Sequence, residues 1–230
     1  MAGGTPLPPL SIIIPTLDEE TTIEGLLSCI SGDGGHELIV VDGGSADRTM
    51  EIAAGYARVI RSEACRAVQM NEGARAASGE VLLFLHADVL PGAGALDAVR
   101  RAMADPRVAG GNLDAQFEGG DLTAWAFTVI NRWRTRWGVF YGDSGIFCRR
   151  SVFEALGGFR PWPILEDFEM ARRLRKSGRL AMLREPLHVS ARRWKKGGLF
   201  VTLWLWFWIQ ALYLAGVSPQ RLAKWYRAVR

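Results

Sequence analysis

Along the first hundred residues, short apolar runs alternate with segments of helical spacing, and three of the runs stop at carboxylates. Leu10 to Pro15 is continuous, rich in β-branched residues and too short for a helix, so it predicts a strand buried on both faces. It leads into Asp18-Glu19-Glu20. Glu37 to Val41 predicts a second strand ending at Asp42-Gly43-Gly44-Ser45, and Val81 to Leu85 another ending at His86-Ala87-Asp88. Between them Ile23, Leu26, Leu27 and Ile30 recur at helical intervals. Ser45 or Asp47 is expected to cap a helix running to about Tyr56, followed by a short strand at Ala57 to Arg61. A helix over Arg66 to Ala77 is expected to stop at a Ser78-Gly79 cap, and another to run from Pro91 to about Ala104. Strands alternating with helices predict a mostly parallel sheet with helices on both faces. Ligands of such sheets bind beyond the carboxyl ends of the strands, so the three acidic tips should share one cleft.

After Asp105-Pro106 the rhythm changes. Val108 to Phe117 alternates loosely around Gly110-Gly111, and a Trp/Arg-rich helix is expected from about Asp121 to Trp137. Gly145 to Arg149 reads as a strand and Arg150 to Leu156 as a short helix. A Pro/Gly/Trp loop, Gly157 to Pro163, then delivers Glu166-Asp167 to the start of a helix ending near Gly178. Leu199 to Val217 is nineteen residues without a charge, spanning about 28 Å as a helix. Thr202 and Gln210 interrupt it, and its tryptophans suit a lipid interface better than a bilayer centre. An interfacial helix is therefore expected ahead of a dimer or core helix, with a membrane span last.

Composition sharpens this picture. The 230 residues are 49% hydrophobic and 23% charged, which is globular, and allow one sizeable core with an appendage. The net charge of +4 hides an asymmetry: Arg184 to Arg230 holds nine Lys/Arg and one acid, while the rest is net negative. A basic, Trp-rich end beside an apolar run points to anionic head groups rather than nucleic acid, which needs a polar stacking platform. The expected division is a catalytic domain over 1–190 and a basic helical segment over 191–230. Cys29, Cys65 and Cys148 show neither metal-ligand spacing nor a disulfide framework. With no signal-peptide pattern at the start, the expected location is the cytoplasm, peripheral at the inner face of the membrane.

Four blocks carry a resemblance: Leu10-Ser-Ile-Ile-Ile-Pro-Thr-Leu-Asp-Glu-Glu20, Val40-Val-Asp-Gly-Gly-Ser-Ala-Asp47, Gly79-Glu-Val-Leu-Leu-Phe-Leu-His-Ala-Asp88 and Leu165-Glu-Asp167. In this order they resemble family 2 glycosyltransferases, which are GT-A-fold enzymes using nucleotide-diphosphate sugars. The short length and the ending Ala215 to Leu222 resemble a compact bacterial subgroup associated with radical-SAM enzymes and a proposed arsenosugar role. Similar sequences are also labelled carotenoid-acid glycosyltransferases. The resemblance implies inverting transfer to a hydroxyl or carboxyl acceptor, such as a lipid, carotenoid or small metabolite. It implies a nucleotide-sugar site at Pro15, Asp18, Glu20, Asp42, Gly43, Arg66, Asn71, Ala87 and Asp88, with Arg75 a lesser candidate. Asp167 would be the base, with Glu166 sharing the work or holding the loop. Asp143, Arg192, Arg193 and Trp194 would serve the acceptor or the diphosphate.

Each assignment has a plainer counterpart. Asp42 before glycines is also turn chemistry, and Asp167 before a helix is also a cap. Arg66 and Asn71 also fit a solvated helix face. Asp88 would hold Mg²⁺ or Mn²⁺ together with diphosphate oxygens. His86 stands where the family usually has the first acid of Asp-x-Asp, so it is either a ligand, better suited to Mn²⁺, or a structural histidine. His188 is a further candidate ligand. Two other classes compete: a sugar nucleotidyltransferase, which would want a basic Gly-rich loop where Thr16 to Glu20 is acidic, and a non-catalytic membrane-binding module, which would not need Asp88 and Asp167.

Overall fold

The computed structural model describes residues 6–32, 34–119, 122–190 and 199–229. One eight-stranded sheet runs through the body. Its strands are β1 (Leu10–Thr16), β2 (His36–Asp42), β3 (Arg58–Arg61), β4 (Val81–Phe84), β5 (Val89–Pro91), β6 (Val108–Phe117), β7 (Ile146–Arg149) and β8 (Arg179–Val189). They lie in the order β3-β2-β1-β4-β7-β6-β8-β5. The first four are mutually parallel, β7 is antiparallel to both neighbours, β8 runs parallel to β6, and β5 is antiparallel to β8.

The apolar runs are continuous because helices cover both faces. On one face Ile12, Ile14, Val40, Val81 and Leu83 pack against α1 (Ile23–Ser31), α2 (Thr49–Ala54) and α4 (Ala95–Met103). On the other, Ile13, Ile39, Val41, Leu82 and Phe84 meet α3 (Arg66–Ala76), α6 (Arg150–Ala155) and α7 (Glu166–Ser177). Register places Thr16 beside Asp42, and Ile13 beside Phe84, so β1, β2 and β4 deliver their acidic tips to one sheet edge. Pro15 fits inside the strand because β4 pairs with β1 no further than Ile13, leaving no ladder bond there for a missing N–H to break.

Several elements differ from the sequence expectation. Pro91 closes β5 instead of opening a helix; α4 begins at Ala95, after Gly94 at φ +75°. β8 is a long strand over a stretch whose polarity announces no element. The α2 helix is shorter than expected, although Asp47 does accept from the Thr49 N–H at its entry. Gly79 is not a helix cap: a Cβ there would lie 2.7 Å from the Ser11 nitrogen, so glycine serves close approach to β1.

Helix α5 (Leu122–Arg136) lies against β6. The chain then passes through a 3₁₀ turn at Gly142–Ser144 into β7. At the end, α8 (Leu199–Leu214) and α9 (Pro219–Val229) join the body through Ile209 and Leu222, which pack with Tyr141, Leu165 and Phe168. Gly216 at φ +94° and a Val217 N–H to Leu212 carbonyl bond close α8 with a Schellman-type turn. The Ala215 to Leu222 ending is thus a helix–turn–helix joint. Among the described residues no helix is long and apolar enough to cross a membrane.

Candidate active site

The acidic loop after β1 is laced to the loop after β2. Asp18 N–H donates to Ser45 Oγ, Glu19 N–H to Thr49 Oγ1 and Glu20 N–H to Asp47 Oδ2. In return Asp18 Oδ1 accepts from Ala46 N–H and Glu20 Oε2 from Arg48 N–H. Asp18 holds φ at +54°, a conformation aspartate tolerates better than most residues. Asp42, fully buried, accepts from Gly44 N–H, Ser45 N–H, Ser45 Oγ and Thr16 Oγ1. Burial raises its pKa, but those donors outweigh it and hold the carboxyl below its ordinary range. Asp42, Asp18 and Glu20 thus brace the loops that follow β1 and β2. Gly43 is needed on steric grounds, since a Cβ would meet Ala64 Cα at 3.1 Å and Gln69 Nε2 at 3.2 Å.

The other half of the site gathers around the entry of α7. Leu165, at φ +65°, is the N-cap and turns the chain so that Glu166 and Asp167 open the helix; Asp167, expected as the cap, is the second residue of the first turn. Asp167 Oδ2 accepts from Gly142 N–H at 2.8 Å and Oδ1 from Phe168 N–H at 2.7 Å. Glu166 is 1% exposed and takes the Nε–H of Arg66 across the cleft from α3. Burial pushes Glu166 up and Arg66 pulls it down, with a net rise. Glu166 and Arg66 are thus a pair tying α7 to α3, in keeping with the expectation that Glu166 holds the loop.

His86 and Asp88 follow β4, both half-buried, with Ala87 buried between them. A Cβ on Gly142 would lie 2.7 Å from His86 Nε2 and 3.4 Å from Asp167 Oδ2. The imidazole therefore rests on the backbone that holds the Asp167 carboxylate. Asp143 follows Gly142, and burial together with the charge of Asp167 pushes its carboxyl up to about 6, against Arg134 and Arg66. Asp88 acts on it in the same upward direction. Asp88, Asp143 and Asp167 thus form one electrostatic cluster.

Residues 11–157 match the family model described as Glycosyl transferase family 2. The chain belongs to this family. It is 29% identical to a PGL/p-HBAD biosynthesis glycosyltransferase of Mycobacterium tuberculosis, over 85% of this chain and 80% of that protein. A 94-residue stretch is 36% identical to a glucosyl-3-phosphoglycerate synthase of the same species, over 35% of this chain and 29% of that one. Among solved structures, the mannosyltransferase PcManGT from Pyrobaculum calidifontis in complex with GDP-Man and Mn²⁺ superposes at TM-score 0.64 and 22% identity, covering 80% of this chain and 57% of that one. S. aureus TarS in complex with UDP-GlcNAc gives 0.66 and 18%, over 80% and 58%. The chain spans less than two thirds of either solved chain. These likenesses establish the α/β fold as that of GT-A glycosyltransferases.

Within this family 2 frame, other expectations are redirected. Asn71 donates to the Phe159 carbonyl and accepts from the Phe159 N–H, both at 2.8 Å, and so pins the Gly157 to Pro163 loop. Arg75 pairs with Glu72 on the exposed face of α3, the plainer reading. His188 lies on β8 in register with Gln116 and Leu90. Arg192, Arg193 and Trp194 lie outside the described residues. Among the described residues no three His, Cys, Asp or Glu side chains converge as a metal site. Asp88 offers carboxylate oxygens, the ligand type that Mg²⁺ and Mn²⁺ prefer. Sequence reasoning missed Gln69, buried and donating to the Thr16 and Val41 carbonyls at 2.8 Å each, and Arg134, whose guanidinium lies 4.7 Å above the Tyr141 ring. A Gln among helix-spaced residues carries no distinctive signal; Arg134 sat in view among the Trp/Arg positions of α5.

Proposed function

We propose that this protein transfers a sugar from a nucleotide-diphosphate sugar to a hydroxyl or carboxyl acceptor, inverting the anomeric carbon. The observation that carries this reading is the Asp167 carboxylate, fixed by two backbone N–H groups from different elements beside Asp88 and Asp143. Each oxygen keeps a lone pair, and the carboxylate is positioned before any substrate arrives. In the proposed step the acceptor oxygen attacks the anomeric carbon while Asp167 takes its proton. The bond from that carbon to the diphosphate oxygen breaks on the opposite face. Asp88 would hold a divalent cation, whose chemistry is to neutralise charge on the departing diphosphate. The GDP-Man and Mn²⁺ named for the Pyrobaculum relative support this donor and cation class. Loops built by Asp18, Asp42 and Glu20 would receive the nucleotide, and Arg192, Arg193 and Trp194 remain proposed for the diphosphate or acceptor side.

The finer subgroup reading, with its arsenosugar role, rests on the sequence blocks and the Ala215 to Leu222 ending. Peripheral membrane contact through Leu199 to Val217 is supported by Trp204, Phe207 and Trp208, which α8 leaves exposed; the alternative occupant of that face is a second copy.

A screen of UDP- and GDP-sugars with Mn²⁺ or Mg²⁺ tests the donor class, and the absence of any metal-dependent binding would refute it. Asp167→Asn is expected to lower transfer by about 10²–10⁴-fold with donor affinity retained, as for loss of a general base. A parallel loss of donor binding would remove the base assignment.

A further inference from the structure

Helix α5 is built inside out. Leu122, Trp125, Val129 and Trp133 recur every three or four residues, and the stripe they form continues to Trp137. These five side chains are 76%, 63%, 42%, 62% and 62% exposed. The inward face carries Ala124 and Phe127, then the polar Asn131 and Thr135, whose Oδ1 and Oγ1 are buried without a hydrogen-bond partner. A helix lying between core and water shows the reverse pattern. Three tryptophans on one exposed stripe, each able to bury on the order of 150–250 Å², make an apolar patch of the kind that marks an interaction site.

The charges on the helix itself are of one sign, and of its arginines Arg132 is paired with Asp114 of β6 at 2.6 Å. From Leu122 to Arg136 the helix has three arginines and no acid. At its end an open groove of about 260 Å³ is lined by Arg136, Trp137, Arg175, Leu180 and Met182. Arg175 is set there by donating to the Trp137 carbonyl at 2.9 Å. Exposed tryptophans, arginines beside them and a groove with two guanidinium groups and apolar walls match an anionic lipid surface. A second copy docking through the same helix would bring no acid to Arg136 and Arg175, since α5 carries none.

We propose that the outer face of α5, with the Arg136–Arg175 groove at its end, docks on an anionic lipid surface. This contact is separate from the aromatic face of α8. The two helices meet on their inner sides at the buried Tyr141, which lies under Arg134 and has the Trp206 ring 6.2 Å away. The docking does not rest on the function proposed above.

The test is flotation of the full chain with vesicles of phosphatidylcholine, alone or mixed with an equal part of phosphatidylglycerol. Wild type is expected to float with the mixed vesicles and to be released by salt. The triple variant Trp125→Gln, Trp133→Gln, Trp137→Gln should lose about tenfold or more in partitioning, with unchanged melting and unchanged nucleotide-sugar binding. Arg136→Gln with Arg175→Gln should lose about tenfold in the preference for phosphatidylglycerol. Wild type that does not float overturns the proposal. So does a triple variant that floats like wild type, which would leave docking to α8, and so does a wild-type dimer that the triple variant converts to monomer without any vesicle binding. Failure of the donor screen with flotation as expected would remove the transferase reading and leave the docking surface standing.

Discussion

Asp143 makes the site sensitive to pH. Its carboxyl is raised to about 6 by burial and by Asp167, against an ordinary value of 3.8. Between those values the folded chain binds more protons than the unfolded chain, so this group's contribution to stability falls as pH rises and is fully lost above the window. Asp143→Asn should therefore raise the melting temperature more at about pH 7.5 than at about pH 4; equal shifts at both pH values would contradict the assignment. Glu166 and Asp167 are neighbours in sequence but have different partners, Arg66 for the one and the Gly142 and Phe168 N–H groups for the other. Removing the carboxylate by Glu166→Ala leaves Arg66 without its partner and should cost about 2 kcal/mol in urea denaturation. That is less than for a fully buried pair, because Arg66 keeps 38% exposure. Asp167→Asn should act on turnover instead. Both acids were visible in the chain, but their division of labour was not. It depends on Arg66, a hundred positions away, and on the Gly142 N–H, and no local pattern encodes such partners.

At the scale of elements, the close contacts between strands set which changes the fold tolerates. A Cβ at Gly111 would lie 1.8 Å from the Ala181 carbonyl oxygen, between β6 and β8, where neither backbone can yield. Gly111→Ala should destabilise by about 3 kcal/mol. Gly25→Ala, on the exposed side of α1 with nothing within 4 Å of the new methyl, should stabilise by about 0.5–1 kcal/mol. Chemical denaturation of the two variants checks both signs. The strands covered on both faces, β1, β2 and β4, were legible because their apolar runs are continuous and short. β5 and β8 were not, since β5 takes its strand form from pairing with β8 and β8 from lying between β5 and β6, and Pro91 and Pro186 read locally as breaks. The Gly110-Gly111 pair was visible, but its meaning required the register shifts between β6 and β8.

For the whole molecule, the C-terminal helices are part of the packing as well as the proposed membrane contact. A chain ended before Gly197 would uncover Tyr141, Leu165 and Phe168, which α8 and α9 cover through Ile209 and Leu222. Its melting temperature should fall, and Asp167, one residue from Phe168, should lose order; a melt unchanged from the full chain would contradict this. The amino-acid sequence by itself determined the alternation of strands and helices, the parallel half of the sheet and the placing of acids at the tips of β1, β2 and β4. Those properties follow from hydrophobic periodicity and chain order, which are local. The tertiary structure alone decided the distant partners of the acids. Asp18 and Glu20 find donors in the loop after β2, Glu166 finds Arg66, and Asp167 is held from across the cleft by the Gly142 N–H. The physical reason is that a carboxylate's setting depends on the groups folding brings within about 3 Å, and these partners lie 25 or more positions away.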